Sequence, residues 1–556
     1  MPTIKFSFAD LRNLVGKSFS LEELERYLSY GKGELDSYDE KSDEVSVSFG
    51  DTNLPYLWSV EGVSILIKGI LGLETGLKNL DVKKGSYRII ADKGVEKIRP
   101  FINGFVAEGK KIDSYFLKQV IQLQEKLCES YGRKRQKISI GLYSYEKIKF
   151  PVHYIAVDPK SARFVPLEFE NEMDLKQILE QHPKGKEYSW VLKGFKKYPI
   201  LKDDLGNVLS FPPIINSNDI GKVEAGDEKL FFEVTGNDEN SVLLASNIFA
   251  FAFQERGFEI YSCITEYSDK KVDAPHSFGD KIKLSRDYVK KILGIDLSDS
   301  DIKKILESAR YCCEISGKNV LVEIPDYRKD IMHQVDVIED LGIFYGYEKI
   351  TAEELKSYTK GGVFEITIFI DRVREICIGL GYQEVMSAVL SNKKTLYENM
   401  NVEDFDTVEI DQFMSETYSV VRTWLVPMLM EVLSKNKHVE FPQKIFEQGV
   451  VTTRKGEKIF DYERIAIACC NSDADFTEAK QVLDYVFDSF GVKYEIDDFE
   501  HSSFIQGRVG RIAVNNCKVG IIGEVHPRVL KNWDVSTPIA VLEINLTALF
   551  DEIKKL

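Results

Sequence analysis

An acidic segment in the middle of the chain carries the clearest potential for chemistry. Asp336, Glu339 and Asp340 stand at positions i, i+3 and i+4 of a short predicted helix that ends at Gly346. This spacing places three carboxylates on one face, and because like charges repel, we expect a counter-charge nearby. Asp330, just before the helix, can add a fourth oxygen ligand. Carboxylates alone suit a hard divalent cation such as Mg²⁺, whereas the alternative is a solvated acidic face.

A second polar pair lies at the end of a predicted strand. Glu233 and Thr235 are two residues apart in an apolar stretch that ends at Gly236, so their side chains share one face of that strand. Taken alone, an acid and a hydroxyl there indicate a small polar pocket. His526 precedes Pro527 and has no serine or cysteine partner at a recognisable spacing, so it is predicted to be structural.

Composition limits the classes of protein to consider. A chain of 556 residues with 44% hydrophobic content is long enough for three to five domains. The net charge of −16 argues against overall electrostatic attraction to nucleic acid, so any RNA binding must use a local surface or another subunit. Eight cysteines without a Cys-x-x-Cys pair, and the lack of long apolar runs, predict a cytoplasmic protein without membrane spans.

Periodicity predicts the elements that must position these residues. Ser20 and Glu23 form a capping box before a helix, and two later helices followed by a hairpin suggest a winged helix-turn-helix. The second of those helices is mixed in charge, which disfavours DNA binding. The predicted helices span 21–28, 63–73, 113–131, 286–293, 300–310 and 364–380, and predicted strands lie near 4–8, 87–90, 101–106 and 138–142.

The sequences of several segments resemble those of a known family. Tyr327-Arg328, Asp330, Asp336, Glu339-Asp340 and Tyr345-Gly-Tyr347 are similar to the magnesium-binding segment of the phenylalanyl-tRNA synthetase β subunit, although many members have glutamate where Asp340 stands. The closing phrases at 507–511 and 523–527 also match that family. The chain resembles the shorter archaeal type, because the early oligonucleotide-binding domain and the C-terminal anticodon-binding domain of bacterial β subunits are missing from it.

This resemblance implies a subunit of phenylalanine–tRNA ligase, a class II aminoacyl-tRNA synthetase. Two α and two β chains would form a heterotetramer, with ATP, phenylalanine and the aminoacylation site on the α subunit. The β chain would supply scaffold, bind Mg²⁺ through Asp330, Asp336, Glu339 and Asp340, and contact phenylalanine tRNA. The alternatives are a non-catalytic scaffold subunit and a winged-helix nucleic-acid-binding protein.

The resemblance also implies hydrolytic editing of mischarged Tyr-tRNA. A hydrophobic pocket for phenylalanine rejects an added hydroxyl only about a hundredfold, so tyrosine calls for a second sieve. Glu233 would accept that hydroxyl, and water attack would be positioned by backbone donors and the tRNA. The residues placed around the editing pocket are Gln124, Arg135, Leu201, Ser210, Glu233 and Thr235.

The predicted fold class is α+β multidomain, with a mixed α/β editing module, a winged-helix-like module and an antiparallel sheet domain like that of class II synthetases. In the last domain the phrase Phe446-Glu447-Gln448-Gly449, with Lys444 ahead of it, lacks the arginine that ATP binding requires. The predicted ranges are an N-terminal α/β domain at 1–84, the tRNA-editing module at 85–268, the winged-helix-like module with the magnesium ligands at 269–350, a linker at 351–362 and the catalytic-like domain at 363–556.

Overall fold

A computed structural model describes residues 2–355 and 357–555, so Met1, Lys356 and Leu556 lie outside the described residues. The chain divides into two compact units, 1–354 and 355–556, and this division falls within the segment predicted as a linker. Within the described ranges, no helix is both long enough and apolar enough to cross a membrane.

The first unit begins with a small three-stranded sheet in the order β1-β3-β2 and three helices. The predicted capping box of Ser20 and Glu23 is confirmed. The apolar helix begins three residues earlier than predicted, because the hydroxyl of Ser59 accepts from the Gly62 amide, and it ends before Gly72 turns the chain at φ +66°. The elements are β1 Thr3–Ser7, α1 Phe8–Val15, α2 Leu21–Ser29, β2 Gly33–Asp39, β3 Glu44–Phe49 and α3 Val60–Ile70.

A ten-stranded sheet follows, in the order β12-β11-β10-β7-β4-β14-β5-β13-β6, with β15 paired to β14. Its strands are β4 Val82–Ala91, β5 Phe101–Glu108, β6 Ile138–Ser144, β7 Val152–Val157, β10 Tyr198–Lys202, β11 Val208–Phe211, β12 Ile215–Asn216, β13 Lys229–Gly236, β14 Glu259–Glu266 and β15 Lys271–Ala274, and β8 Arg163–Phe164 pairs with β9 Met173–Asp174 apart from it. The helices are α4 Ser114–Lys126, α5 Leu175–Gln181, α6 Pro183–Tyr188 and α7 Glu239–Glu255.

Alternation along β13 separates the two faces of this sheet. Phe232 and Val234 join the core that includes the buried residues of α7, whereas Phe231 belongs to a second core on the opposite face. Because side chains alternate along a strand, Glu233 and Thr235 share the face of Phe231. The predicted common face of the two polar residues is therefore confirmed.

The first unit ends with a compact α/β module around a sheet of order β16-β18-β17. Gly346, at φ +97°, ends the acidic helix where the sequence predicts. The elements are β16 Lys281–Ser285, α8 Arg286–Leu293, α9 Asp299–Ser308, β17 Cys312–Ser316, β18 Asn319–Glu323 and α10 Gln334–Tyr345.

The second unit is a seven-stranded sheet of order β19-β22-β23-β27-β26-β25-β24, antiparallel apart from the pairing of β19 with β22. Separate apolar cores lie against α11, α13 and α15 and against α12. The elements are α11 Glu365–Gly379, β19 Gln383–Glu384, β20 Leu390–Ser391, β21 Val420–Val421, α12 Val426–Lys435, β22 Gln443–Lys455, β23 Lys458–Cys470, α13 Phe476–Ser489, β24 Glu495–Asp498, β25 Phe504–Val514, β26 Cys517–Val525, α14 Pro527–Asn532, β27 Ile539–Asn545 and α15 Leu546–Ile553.

Candidate functional site

A buried polar network joins the two ends of the ten-stranded sheet. The Tyr143 hydroxyl lies 2.9 Å from both Ser210 Oγ and Glu233 Oε1. A phenol has one proton, so donation to Glu233 leaves Ser210 to donate to the phenol oxygen. Ser210 lies on β11 and Glu233 on β13, which are far apart in the strand order, so the sheet curls to bring its ends together. Leu201 stands opposite Ser210 in the register of β10 and β11.

Glu233 has one oxygen without a partner. Its side chain is buried, and Oε2 makes no hydrogen bond to any part of the chain that the structure describes. Burial raises the pKa of Glu233 to about 7, although the hydrogen bond from Tyr143 and the positive charge of Arg99 oppose this shift. The carboxyl group is therefore present in both protonation states near neutral pH.

Gly141 leaves the space that this network needs. It stands opposite Glu233 in the register of β6 and β13. A Cβ atom at this position would lie 2.3 Å from the Tyr143 hydroxyl oxygen and 2.5 Å from Glu233 Oε1. Any larger residue would therefore displace the side chains of Tyr143 and Glu233.

Arg99 is a fully buried guanidinium beside the same pocket. Its Nε donates to Thr235 Oγ1 at 2.9 Å, and Nη2 donates to the Thr235 carbonyl at 2.7 Å and to Ser139 Oγ at 3.1 Å. Nη1 donates to the carbonyls of Arg135 and Gln136. Burial lowers the pKa of Arg99. These bonds fix Thr235 and the turn that carries Arg135.

That turn is an unusual piece of backbone. A π-helical turn, Leu127–Tyr131, continues α4, and Arg133, Lys134 and Arg135 then have φ values of +49°, +52° and +65°. A left-handed residue other than glycine costs about 1 kcal/mol, and strain of this kind clusters at functional sites. The turn directs Arg135 Nη1 to the carbonyls of Pro213 and Ile214, at 3.1 and 2.9 Å.

The structure thus brings together five of the six predicted pocket residues. Arg135, Leu201, Ser210, Glu233 and Thr235 are linked by the contacts described above. Gln124 lies on α4 and donates to the Ile140 carbonyl at 2.7 Å, so it reaches the pocket through the main chain of β6. The sequence reasoning missed Tyr143 and Gly141, whose position on β6 is the only local signal, and Arg99, which lies outside any strand and carries no local signal.

The four carboxylates of the acidic segment do not converge on one shared centre. Arg328 lies between Asp330 and Asp340, with Nε 3.0 Å from Asp330 Oδ1 and Nη1 2.6 Å from Asp340 Oδ2, and its Nη2 also bonds Asp330. Tyr311 donates to Asp340 at 2.5 Å. Asp340 is buried while its neighbour Glu339 is exposed, so the expected single anionic face of the helix is divided.

The other two carboxylates also have protein partners. Asp336 accepts from the amides of Met332 and His333 and so caps α10, and Glu339 lies 2.8 Å from Lys32 Nζ. Arg328 and Lys32 are therefore the counter-charges that the spacing predicts. Within residues 2–355 and 357–555, no group of three or more His, Cys, Asp or Glu side chains is placed to hold a metal ion. In this arrangement the four carboxylates do not fit one Mg²⁺ ion, and the magnesium site stays a prediction.

In the second unit, the lysine ahead of the Phe446–Gly449 segment is paired with an acidic residue. Lys444 forms an ion pair with Glu478 at 2.9 Å. Glu447 is buried and accepts from Arg422 and from the Ser387 hydroxyl. His526 caps α14 by accepting from the Arg528 amide at 3.1 Å, which confirms its predicted structural role.

Comparisons with known proteins identify the family. The model "Phenylalanyl tRNA synthetase beta chain CLM domain" matches residues 350–546, and "tRNA synthetase B5 domain" matches residues 282–347. The phenylalanine–tRNA ligase β subunit of Pyrococcus abyssi is 41% identical over 99% of this chain and 100% of its own length, and that of Archaeoglobus fulgidus is 38% identical over 92% of both. The chain belongs to the phenylalanine–tRNA ligase β-subunit family.

A solved structure supports the assignment to this β-subunit family. An N-terminal fragment of the phenylalanyl-tRNA synthetase β subunit from Pyrococcus horikoshii aligns with a TM-score of 0.61 and 40% identity, over 62% of this chain and all of that fragment. The predicted resemblance, the α/β multidomain fold and the prediction of a ligase subunit are confirmed. The acidic residues at 330–340 lie within the match to the B5 domain.

Proposed function

We propose that this chain is the β subunit of a cytoplasmic phenylalanine–tRNA ligase with two α and two β chains, and that it hydrolyses tRNA mischarged with tyrosine. The α subunit would bind ATP and phenylalanine and attach phenylalanine to its tRNA. The names of the full-length relatives support the assembly with an α subunit. The observation that carries the editing proposal is the buried, unpartnered Oε2 of Glu233.

The chemistry of Glu233 suits the one group that distinguishes tyrosine from phenylalanine. An ionised carboxylate accepts from a phenol, and a protonated one donates to it. A buried oxygen without a partner costs free energy, so a ligand hydroxyl that satisfies it is favoured over a ligand that lacks one. Leu201 and Phe231 are buried beside the network and supply an apolar wall for the aromatic ring.

The reaction needs little from the side chains themselves. Water adds to the ester carbonyl, the bond to the ribose oxygen breaks, and tyrosine and tRNA with a free hydroxyl leave. No Ser-His or Cys-His pair occurs among the six pocket residues, so main-chain donors and the terminal ribose would orient the water. The pocket's own contribution is to hold the tyrosine side chain and thereby place the ester.

The test uses the complex co-expressed with the α subunit of the same organism. Tyr-tRNA hydrolysis and Phe-tRNA formation are measured for the wild type, for Glu233→Ala, and for Glu259→Ala as an exposed control in the same module. We expect Glu233→Ala to lose discrimination for Tyr-tRNA by roughly two orders of magnitude while aminoacylation is kept. Normal editing by this variant shows that the editing pocket lies elsewhere, whereas a wild-type complex that forms Phe-tRNA without hydrolysing Tyr-tRNA leaves a scaffold subunit as the function.

Two further proposals concern the modules. We propose that the second unit is a class II synthetase-like domain that does not bind ATP, which the lack of an arginine two residues before Glu447 supports. We also propose that 269–350 is winged-helix-like, supported by helices α8 and α9 followed by the β17–β18 hairpin. The mixed charge of α9, with three acidic residues and two lysines, disfavours a role in reading DNA bases.

A further inference from the structure

One stretch of the acidic chain is strongly basic. We call residues 183–198 the 183–198 surface; it comprises α6, the 3-10 turn Ser189–Leu192 and the loop that leads into β10. The stretch contains five lysines and a single acidic residue, Glu187, although the whole chain has a net charge of −16. The lysines are Lys184, Lys186, Lys193, Lys196 and Lys197, of which the last four are exposed and form no ion pair with a described residue.

Two aromatic side chains stand exposed among these lysines. Trp190 is 44% exposed and Phe195 is 37% exposed. The other three tryptophans of the chain, Trp58, Trp424 and Trp533, are all buried. Gly194, at φ +91°, turns the chain directly before Phe195. Aromatic rings presented between cations are the combination that binds unstacked bases and the phosphates between them.

The surface is firmly anchored beside the candidate editing pocket. Tyr188 and Leu192 are buried in one apolar core together with Ile200. The Tyr188 ring lies 4.2 Å from the guanidinium carbon of Arg135, and its hydroxyl donates to Glu129 at 2.5 Å. The same core holds Phe211 and Ile214, which follow the pocket residue Ser210 along the chain. The exposed residues are thus carried by a rigid base.

The distance to the pocket suits a short single strand. Lys197 precedes β10, and Leu201 lies four residues later in the chain, about 13 Å away along an extended strand. A few nucleotides span this distance. On the turn that carries Arg135, Arg133 and Lys134 are exposed and have no ion pair among the described residues, which adds positive charge near the candidate pocket.

From these observations we infer that the 183–198 surface binds the single-stranded 3′ end of the aminoacylated tRNA and directs its terminal ester into the editing pocket. Lysines contact the phosphates, and Trp190 and Phe195 stack on bases. This inference rests on the proposed editing function. Single-stranded RNA fits better than a duplex, because paired bases do not offer free faces to aromatic side chains.

Tryptophan fluorescence tests the binding directly. The full-length β chain is titrated with a short RNA of the tRNA 3′-terminal sequence, and with the same RNA paired to its complement. Because Trp190 is the exposed tryptophan, we expect saturable quenching of its fluorescence by the single strand. The binding constant should fall by about 0.7 log units per phosphate contact for each tenfold rise in salt concentration. Trp190→Phe must abolish the signal. Absence of quenching, equal quenching by the duplex, or quenching that persists in Trp190→Phe overturns the inference.

Charge reversal tests the role in editing. In the complex with the α subunit, Lys196→Glu/Lys197→Glu should lower kcat/KM for Tyr-tRNA hydrolysis roughly tenfold and leave Phe-tRNA formation unchanged. The matched control is Lys84→Glu/Lys110→Glu, which reverses two exposed lysines elsewhere in the module. Equal loss in both reactions, or no loss, contradicts the inference. If the wild type does not hydrolyse Tyr-tRNA, the proposed function fails, and the fluorescence titration still decides whether the surface binds RNA.

Discussion

At the scale of single residues, Glu233 links the site to stability. Its pKa of about 7 in the folded chain lies above the ordinary value of 4.5, because burial penalises the charge. Below pH 4.5 the carboxyl group of Glu233 is protonated in both the folded and the unfolded chain. As the pH rises from 4.5 to 7, the unfolded chain releases its proton first, so folding becomes less favourable, by up to about 3 kcal/mol above pH 7.

Glu233→Gln removes this pH-dependent cost. We expect the variant to unfold at a higher temperature than the wild type at pH 8, with the difference closing as the pH is lowered toward 5. Thermal unfolding followed by circular dichroism at a series of pH values measures the effect. A difference that does not change with pH would show that the charge of Glu233 is not its cause.

The ion pair with Lys32 occupies the carboxylate of Glu339, which would otherwise be available to bind a cation. The Nζ of Lys32 lies 2.8 Å from Glu339 and 2.9 Å from Asp51, and the φ of Lys32, +56°, is one that asparagine tolerates. If the acidic segment binds magnesium, Lys32→Asn frees a carboxylate and should tighten binding several-fold. Titration of the full chain with Mn²⁺ as a spectroscopic probe measures this. Unchanged affinity places any bound ion away from Glu339.

The sequence could predict the parts of the pocket that lie close together in the chain. Glu233 and Thr235 share a strand face by simple alternation. Tyr143 could not be found in this way, because its partners Ser210 and Glu233 lie 67 and 90 residues away. Arg99 is similar, since it meets Thr235 from a position 136 residues earlier. The contact of Tyr143 with Glu233 follows from the pairing of β6 with β13, and its contact with Ser210 follows from the curl of the sheet; no local pattern encodes either.

At the scale of elements, the left-handed turn is the most constrained part of the site. Arg135 uses one nitrogen to hold two carbonyls of the loop after β11 and places its plane over Tyr188. A lysine has the charge without the planar group, so it cannot do both. We expect Arg135→Lys to lower Tyr-tRNA hydrolysis about tenfold or more, measured in the complex with the α subunit.

A neighbouring residue provides the control for that turn. Lys134 has a similar left-handed backbone and is exposed, without an ion pair among the described residues. Lys134→Arg keeps the positive charge, and arginine already adopts this backbone at positions 133 and 135, so this variant should retain hydrolysis to within about twofold of the wild type. Equal activity of the Arg135 variant and this control would show that the guanidinium contacts are unimportant.

Helix ends illustrate what local sequence can and cannot predict. The start of α2 follows from the capping box of Ser20 and Glu23, which is written within four residues. Apolar periodicity predicts the start of α3 three residues too late, because Ser59 caps the helix without the glutamate that completes a capping box. The apolar periodicity correctly predicts that a helix is present, and the N-cap residue sets where the helix begins.

At the scale of the whole molecule, the two units have separate cores, and we expect them to respond separately to a core mutation. Arg422 and Glu447 are both buried in the second unit and form an ion pair. Arg422→Ala leaves an unpaired buried carboxylate, which costs about 3–5 kcal/mol. Hydrogen exchange should quicken for amides of 363–555 and stay unchanged for those of 2–350. Faster exchange throughout the chain contradicts this independence.

The strand order of the ten-stranded sheet also affects when the sheet can be completed during protein synthesis. The strand β14 lies between β4 and β5 in the sheet, yet it is made after the strands that carry Ser210 and Glu233. We therefore expect the strands that carry Ser210 and Glu233 to come together on the ribosome only after residue 266 has left the exit tunnel. We therefore expect a truncation that removes β14 to give a chain that contains every predicted pocket residue but does not assemble the network around Glu233.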